Sequence, residues 1–277
     1  MPPAGRRWPT VSRVTDALPP SVRDSLDDPF AELAGPLAGT RRLSFEVVAS
    51  DRISPTMQQV TLTAPELDGF RYEPGQDVML LVGADGTRPV RRRYTIRSLD
   101  RPGLKLTLNI VRHADGPGER WLRDARPGDR VEGIGPRGKI TTSPSADWHL
   151  LIGDESAMPA IFAMTESLPG DSDATLVIEV PDPDDEQELL APARTRLSWL
   201  HRLARPAGDP ALLAAEAAQV ELPDGDGHAY VFGEASAVST LREILTARGL
   251  RDDQLSPKAY WGRGRANAGH GEPSREG

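Results

Sequence analysis

The chain has 277 residues, enough for two ordinary domains and a substantial buried core. A net charge of −8 and a pI of about 5.2 give no general attraction for nucleic acid, although a local basic patch stands at Arg91–Arg92–Arg93. Without cysteine it forms no disulfide, thiolate zinc site, iron–sulfur cluster or cysteine nucleophile.

Residues 1–40 are rich in Pro, Arg and Asp and are expected to be a poorly ordered N-terminal extension, weakly helical near Ser21–Leu33. Arg6–Arg7 is followed by Trp8, Pro9 and Thr10 rather than an apolar run, so it is not read as an export signal. No stretch approaches the roughly 20 apolar residues of a spanning helix. A cytoplasmic protein without an integral membrane segment is expected.

From Leu43 to about Ser143 the pattern is strand-like. Leu43–Ala49, Met57–Thr63, Val78–Gly83, Arg92–Arg97, Leu104–Val111 and Arg130–Ile134 alternate or are β-branched, and turn residues separate them. They predict a six-stranded antiparallel barrel over 41–145, interrupted by a short helix near Gly118–Asp124. Gly133-Ile134-Gly135-Pro136-Arg137-Gly138 fits a dinucleotide fingerprint, but Pro136 and the β-branched run Ile140–Thr142 follow instead of a helix. It is read as a turn closing the barrel.

After about Trp148 the pattern changes. His149–Gly153, Thr175–Val180, Tyr230–Gly233 and Lys258–Trp261 read as buried strands, with helices over Ala157–Ser167 and Ala237–Arg248. Alternating strand and helix predict a parallel-sheet, nucleotide-binding α/β domain over 146–262, then a flexible tail over 263–277. The fold class is thus β + α/β. The acidic run Asp182–Glu188 lacks calcium-loop spacing and is read as a solvated turn and helix start.

On a strand, Arg92, Tyr94 and Ile96 share one face, while Arg93, Thr95 and Arg97 share the other. An arginine and an aromatic two apart can hold a phosphate and stack on a planar ring together, though a solvated basic strand would look the same. Further on, Ile110-Val111-Arg112-His113 leads through a Gly-rich turn, Gly116-Pro117-Gly118, into a helix start that presents N–H groups to an anion. Leu151-Ile152-Gly153-Asp154-Glu155-Ser156 is a strand, then polar residues, then a helix, which is a nucleotide-site layout. The histidines at 113, 149, 201, 228 and 270 show no ligand spacing, so no metal site is expected. No Gly-x-Ser-x-Gly elbow appears either.

Arg92-Arg93-Tyr94-Thr95 resembles the Arg-x-Tyr-Ser/Thr motif of ferredoxin-reductase-like flavoproteins. The segment from His113 to Trp121 looks like the His-Gly…Gly-Pro-Ala-Ser-x-Trp segment of siderophore-interacting proteins. There Ala114 stands where Gly is usual, and Glu119 replaces a small hydroxyl residue. Gly153–Ala160 is similar to the family's Gly-Asp-Glu-Thr-Ala-Leu-Pro-Ala. Ser198–Arg202, Val231–Ala235 and Lys258–Gly264 also resemble family segments, the last with Ala259 for Gly and Gly262 where Arg is usual.

The resemblance implies an FAD-dependent ferric-siderophore reductase. Electrons would pass from NAD(P)H or ferredoxin, through bound FAD, to Fe(III) in a ferric siderophore, releasing Fe(II). It implies Tyr94 and Thr95 as catalytic, on the flavin face and near its N5. Cofactor contacts would come from Arg92, Ile96, Ile110, His113, Gly116, Pro117, Gly118, Asp154, Glu155, Ser156, Gly233 and Glu234. Arg91, Arg93, Arg97, Lys258 and Arg263 would line a basic approach for an anionic siderophore. A monomer is expected. Two alternatives stay open: an NAD(P)H–flavin or ferredoxin-type oxidoreductase with another acceptor, and a non-catalytic siderophore or flavin binder.

Overall fold

Strand β1 (Arg41–Arg52) turns Leu43, Phe45 and Val47 inward and the residues between them outward, the alternation of a sheet with one buried face. The computed structural model describes residue 30 and residues 40–85, 88–112, 116–191 and 194–264. Of the N-terminal extension it therefore shows Phe30, which is buried, and Thr40; the weakly helical stretch otherwise lies outside the described residues. Within the expected tail, it shows Arg263 and Gly264.

The first half adds β2 (Met57–Thr63), β3 (Asp77–Asp85), β4 (Arg88–Thr95), β5 (Ser98–Asp100), β6 (Lys105–Val111) and β7 (Arg130–Arg137). They form one antiparallel sheet in the order β4-β3-β7-β1-β2-β6-β5. Seven strands stand where six were expected. The extra one is β5, whose three residues pair with Lys105–Thr107 and are too few to show an alternation.

The Gly-rich segment at 133–138 is a second correction, because its first residues lie within β7 rather than in a turn. A Cβ on Gly133 would sit 2.9 Å from Leu80, and one on Gly135 2.7 Å from Val78, so these glycines serve close strand packing. Only Gly138, at φ +101°, has turn geometry.

Helix α1 (Pro117–Asp124) precedes β7 and buries Leu122 against the barrel core. The second half contains β8 (Trp148–Asp154), α2 (Met158–Glu166), β9 (Asp173–Val180), β10 (Thr195–His201), α3 (Ala211–Gln219), β11 (His228–Glu234), α4 (Ala235–Ala247) and β12 (Leu255–Trp261). Its five strands are parallel, in the order β10-β9-β8-β11-β12. All of β8 is buried, as befits a strand covered on both faces. Strand order reverses between β8 and β11, whose carboxyl ends therefore flank the crevice where ligands of such sheets bind.

The acidic run gives a third correction. Pro183–Asp185 is a short 3-10 turn, and Asp185 is fully buried. Its Oδ1 accepts hydrogen bonds from Ser54 Oγ at 2.7 Å, Thr56 N at 2.9 Å and Thr56 Oγ1 at 2.7 Å. A residue expected in solvent thus ties the β1–β2 turn to the α/β half, and the buried donors explain its burial.

Candidate functional site

β4 carries the basic and aromatic segment, and α1 begins directly beside it. Tyr94 stacks on Trp121 of α1, with centroids 6.0 Å apart and an interplanar angle of 22°. The pair packs against the barrel core. Burial pushes the Tyr94 phenol well above its ordinary range, while Arg92 opposes the shift and Glu119 adds to it. A Cβ on Gly118 would lie 3.1 Å from Tyr94 Oη and 3.4 Å from Arg92 Cγ. The structure thus brings Arg92, Tyr94 and Gly118 together, and the lack of a side chain at 118 is what permits the approach.

Gly116 stands at the N-cap of α1 with φ +134°, which favours glycine, and brings no side chain of its own to the cap. Pro117 occupies N1, where its missing N–H costs nothing. The first-turn N–H groups of α1 therefore point out of the helix end. Arg112 reaches this end from beyond β6: its Nη2 donates to Glu119 Oε1 at 3.0 Å, and its buried Nε has no hydrogen-bond partner among the described residues. The Glu119 side chain is only 8% exposed. His113 lies outside the described residues. Ile96 and Ile110 are buried in the barrel core, in the cluster that Tyr94 and Trp121 pack against.

The opposite face of β4 meets the second half. Asp77, 2% exposed, accepts from Arg93 Nε at 2.9 Å, from Arg93 Nη2 at 2.6 Å and from Lys258 Nζ at 3.1 Å. Its backbone stands opposite Thr95 in the β3–β4 register. Lys258 Nζ lies 5.3 Å from the centre of the Tyr260 ring, which stacks on Phe232. The Tyr260 hydroxyl lies against Thr95 and is buried without a hydrogen bond of ordinary geometry. Arg97 forms a two-pronged bridge to Glu166 of α2, both contacts 2.6 Å, with its guanidinium 5.5 Å from the Phe162 ring centre. This bridge, with Asn109 and Gln187, lines a cleft of about 510 Å³ between the halves.

Of the five basic residues expected to face a siderophore, Arg93, Arg97 and Lys258 are thus bound to carboxylates. Arg91 lies with its guanidinium 6.0 Å from the Phe30 ring centre. Arg263 is exposed, with Nη2 donating to the Gly208 carbonyl at 3.0 Å.

Asp154, Glu155, Ser156, Gly233 and Glu234 gather elsewhere, at the carboxyl ends of β8 and β11. Asp154 accepts from Ser156 N at 2.9 Å, Glu234 N at 3.0 Å and Trp261 Nε1 at 2.9 Å. Gly233, at φ +133°, leaves room for this carboxylate, since a Cβ there would lie 2.7 Å from Asp154 Oδ2. Burial, reinforced by Glu155, pushes the Asp154 carboxyl up to about 6 against the hydrogen bonds it accepts. Burial alone would raise Glu234, but donors from Ser236, Arg263 and Ala237 hold it below its ordinary value. Glu155 is held by both prongs of Arg202 at 2.6 Å, and Glu179 lies 3.7 Å from the same guanidinium.

Burial pushes Glu179 up to about 7, with Arg202 opposing and Asp154 and Glu155 adding. Asp154 and Glu179 thus bind protons more tightly folded than unfolded, so both contribute stability at low pH that fades as pH rises. For Glu179 the loss runs from its ordinary 4.5 through about 7. Urea midpoints at pH 5 and pH 8 should differ in this sense, and Glu179→Gln should narrow the gap. An undiminished gap would place the titration elsewhere.

Asp77, Arg112, Glu179, Arg202 and Tyr260 were not foreseen as site residues. Arg202 and Tyr260 lie within family-like segments, but Asp77 and Glu179 lie in none and show only in pairing, with Asp77 181 residues from Lys258. Among the described residues no group of three or more His, Asp or Glu is placed to hold a metal. No helix there is long and apolar enough to cross a membrane.

Two family profiles match the chain: the siderophore-interacting FAD-binding domain over residues 82–140, and the siderophore-interacting protein domain over 146–264. An uncharacterised protein of Mycobacterium tuberculosis is 34% identical, with 83% of this chain and 93% of that protein covered. The ferric vibriobactin reductase ViuB of Vibrio cholerae is 30% identical, with coverage of 79% and 89%. The crystal structure of a siderophore utilization protein from T. fusca superposes with a TM-score of 0.76 at 33% identity, covering 84% of this chain and 97% of that one. With both halves matched in order on an antiparallel sheet followed by a parallel one, the chain belongs to the siderophore-interacting protein family.

Proposed function

We propose that the protein is an FAD-dependent reductase that passes electrons from NAD(P)H or ferredoxin to Fe(III) in a ferric siderophore. The observation that carries this is the meeting of Arg92 and Tyr94 with the Gly-Pro-Gly start of α1, inside the segment matched by the FAD-binding profile. The residues fit that cofactor on structural grounds. The lack of a Cβ at Gly118 lets Arg92 and Tyr94 close on the start of α1, and the buried Arg112 Nε there has no hydrogen-bond partner among the described residues.

In this reading Arg92 and α1 hold the diphosphate, Tyr94 supports the ring system, and Thr95 with Tyr260 bounds the ring edge. FAD, when bound, accepts electrons in pairs and releases them singly, which suits a one-electron metal acceptor. The iron is substrate, bound by its own siderophore, and reduction from hard Fe(III) weakens that complex. Arg91 and Arg263 make no ion pair among the described residues, so they would contribute most to attracting an anionic chelate. The name of the Vibrio relative, ferric vibriobactin reductase, supports the choice of acceptor.

The test is FAD stoichiometry measured together with ferric-siderophore reduction under nitrogen. One FAD per chain and reduction of ferric siderophore are expected, and Arg92→Ala should weaken FAD binding about tenfold or more, as loss of a charged phosphate contact does. A colourless protein that takes up no FAD would leave a carrier. Reoxidation by ferredoxin or free flavin but not by ferric siderophore would assign another acceptor.

A further inference from the structure

The outer face of the barrel sheet carries a pair of amides that the flavin site does not use. Gln59 of β2 and Asn109 of β6 are direct cross-strand partners. Their neighbours Val60 and Leu108 point into the barrel core, so these two side chains point out of it, into the cleft of about 510 Å³ between the halves. Gln59 Nε2 donates to Asn109 Oδ1 at 3.1 Å, and that bond uses one end of each amide. An acceptor on Gln59, Oε1, and a donor on Asn109, Nδ2, remain, with no hydrogen bond to either among the described residues. Asn109 is only 8% exposed, and a polar side chain buried to that degree normally has its partners.

Another wall of the cleft is α2. Phe162 lies there with the Arg97 guanidinium 5.5 Å from its ring centre, and Glu166 holds that guanidinium by both prongs. A fixed, planar cation of this kind is a stacking surface for a heteroaromatic ring. Its charge is balanced by Glu166, and Glu188 adds a negative charge to the lining, so the cleft does not favour an anion. The exposed apolar side chains of Ile53 and Leu190 complete it. The lining includes neither Arg92, Tyr94 nor Gly118.

We propose that this cleft is a second ligand site, which takes a neutral planar heterocycle by a lactam edge, an N–H beside a C=O, as on uracil. The ring N–H donates to Gln59 Oε1, the neighbouring carbonyl accepts from Asn109 Nδ2, and the ring face lies on Arg97. Linked amides left with one acceptor and one donor match that edge, much as paired donors and acceptors read the edge of a base. A ring without the N–H leaves the Gln59 acceptor unpaired and is rejected. Because β2 and β6 supply the amides and α2 the stacking surface, the ligand touches both halves of the molecule.

The experiment titrates uracil against the full-length protein by saturation-transfer NMR, with 1,3-dimethyluracil, whose ring nitrogens carry no hydrogen, in parallel. Uracil should bind with a Kd of about 1 mM or below, and the dimethyl form about tenfold more weakly or worse. Gln59→Leu removes the acceptor at a partly exposed position, and Asn109→Asp replaces the donor by a carboxylate. Each should weaken uracil about tenfold, the loss of one hydrogen bond with its partner left unpaired. Gln59→Leu carries the test by itself if Asn109→Asp does not fold. Equal affinity for the two rings, undiminished uracil binding in Gln59→Leu, or no uracil binding at about 10 mM would overturn the inference. FAD content measured on the same samples should be unchanged in Gln59→Leu, so failure of this site and failure of the flavin reading are separate results.

Discussion

Replacing Asp77 with alanine is expected to lower the unfolding free energy by about 3–5 kcal/mol, the range for removing one partner of a buried ion pair. Asp77 is 2% exposed and Lys258 3% exposed, so the ammonium loses its carboxylate where water does not replace it. The Arg93 fork loses two bonds at once, which removes geometric as well as electrostatic restraint between β3 and β4. Urea unfolding checks this through the midpoint, with the slope compared to separate a native-state loss from a change in the unfolded chain. A loss under about 1 kcal/mol, typical of an exposed pair, would show that Lys258 is solvated after all.

Replacing Arg202 with alanine is expected to cost a similar amount, about 3–5 kcal/mol, because Glu155 and Glu179 then remain buried without their shared cation. The loss has a defined pH dependence. Arg202 lowers the Glu179 pKa, so its removal raises a value that burial has already pushed up to about 7. The penalty is paid by the ionised form, hence the destabilisation should be larger at pH 8 than at pH 5. Lysine at 202 should restore only part of the loss, since one ammonium cannot reproduce two parallel 2.6 Å contacts to Glu155. An equal loss at both pH values would remove Glu179 from the account.

The strands with clean periodicity were legible in the amino-acid sequence: Met57–Thr63 is predicted and found with the same ends, and Leu43–Val47 alternates as expected. The short helix near Gly118 was legible from its Gly-Pro start. β10 and α3 were not. β10 is a sheet-edge strand of intermediate exposure, with Arg196, Ser198 and His201 interrupting its apolar residues, so neither a buried run nor a clear alternation appears. α3 is largely alanine, which favours helix but marks no face.

At the site, motif logic located Arg92, Tyr94 and Gly118, whose approach the structure shows, but it could not see what the charges pair with. Arg93, Arg97 and Lys258 look alike as free cations in a linear chain, and each meets its carboxylate only through tertiary contact. Asp185 misled for the same reason, because its donors lie 129 and 131 residues away.

The placement of Met57 has a consequence for cooperativity. It sits on a barrel strand, yet its side chain belongs to the apolar cluster of Met158, Ile161 and Phe162, and Val111 packs there too. Gln187 reaches across to its sulfur at 3.2 Å. A barrel severed from the rest would present this greasy patch to water and aggregate, so the two halves should melt together in a single heat-absorption peak.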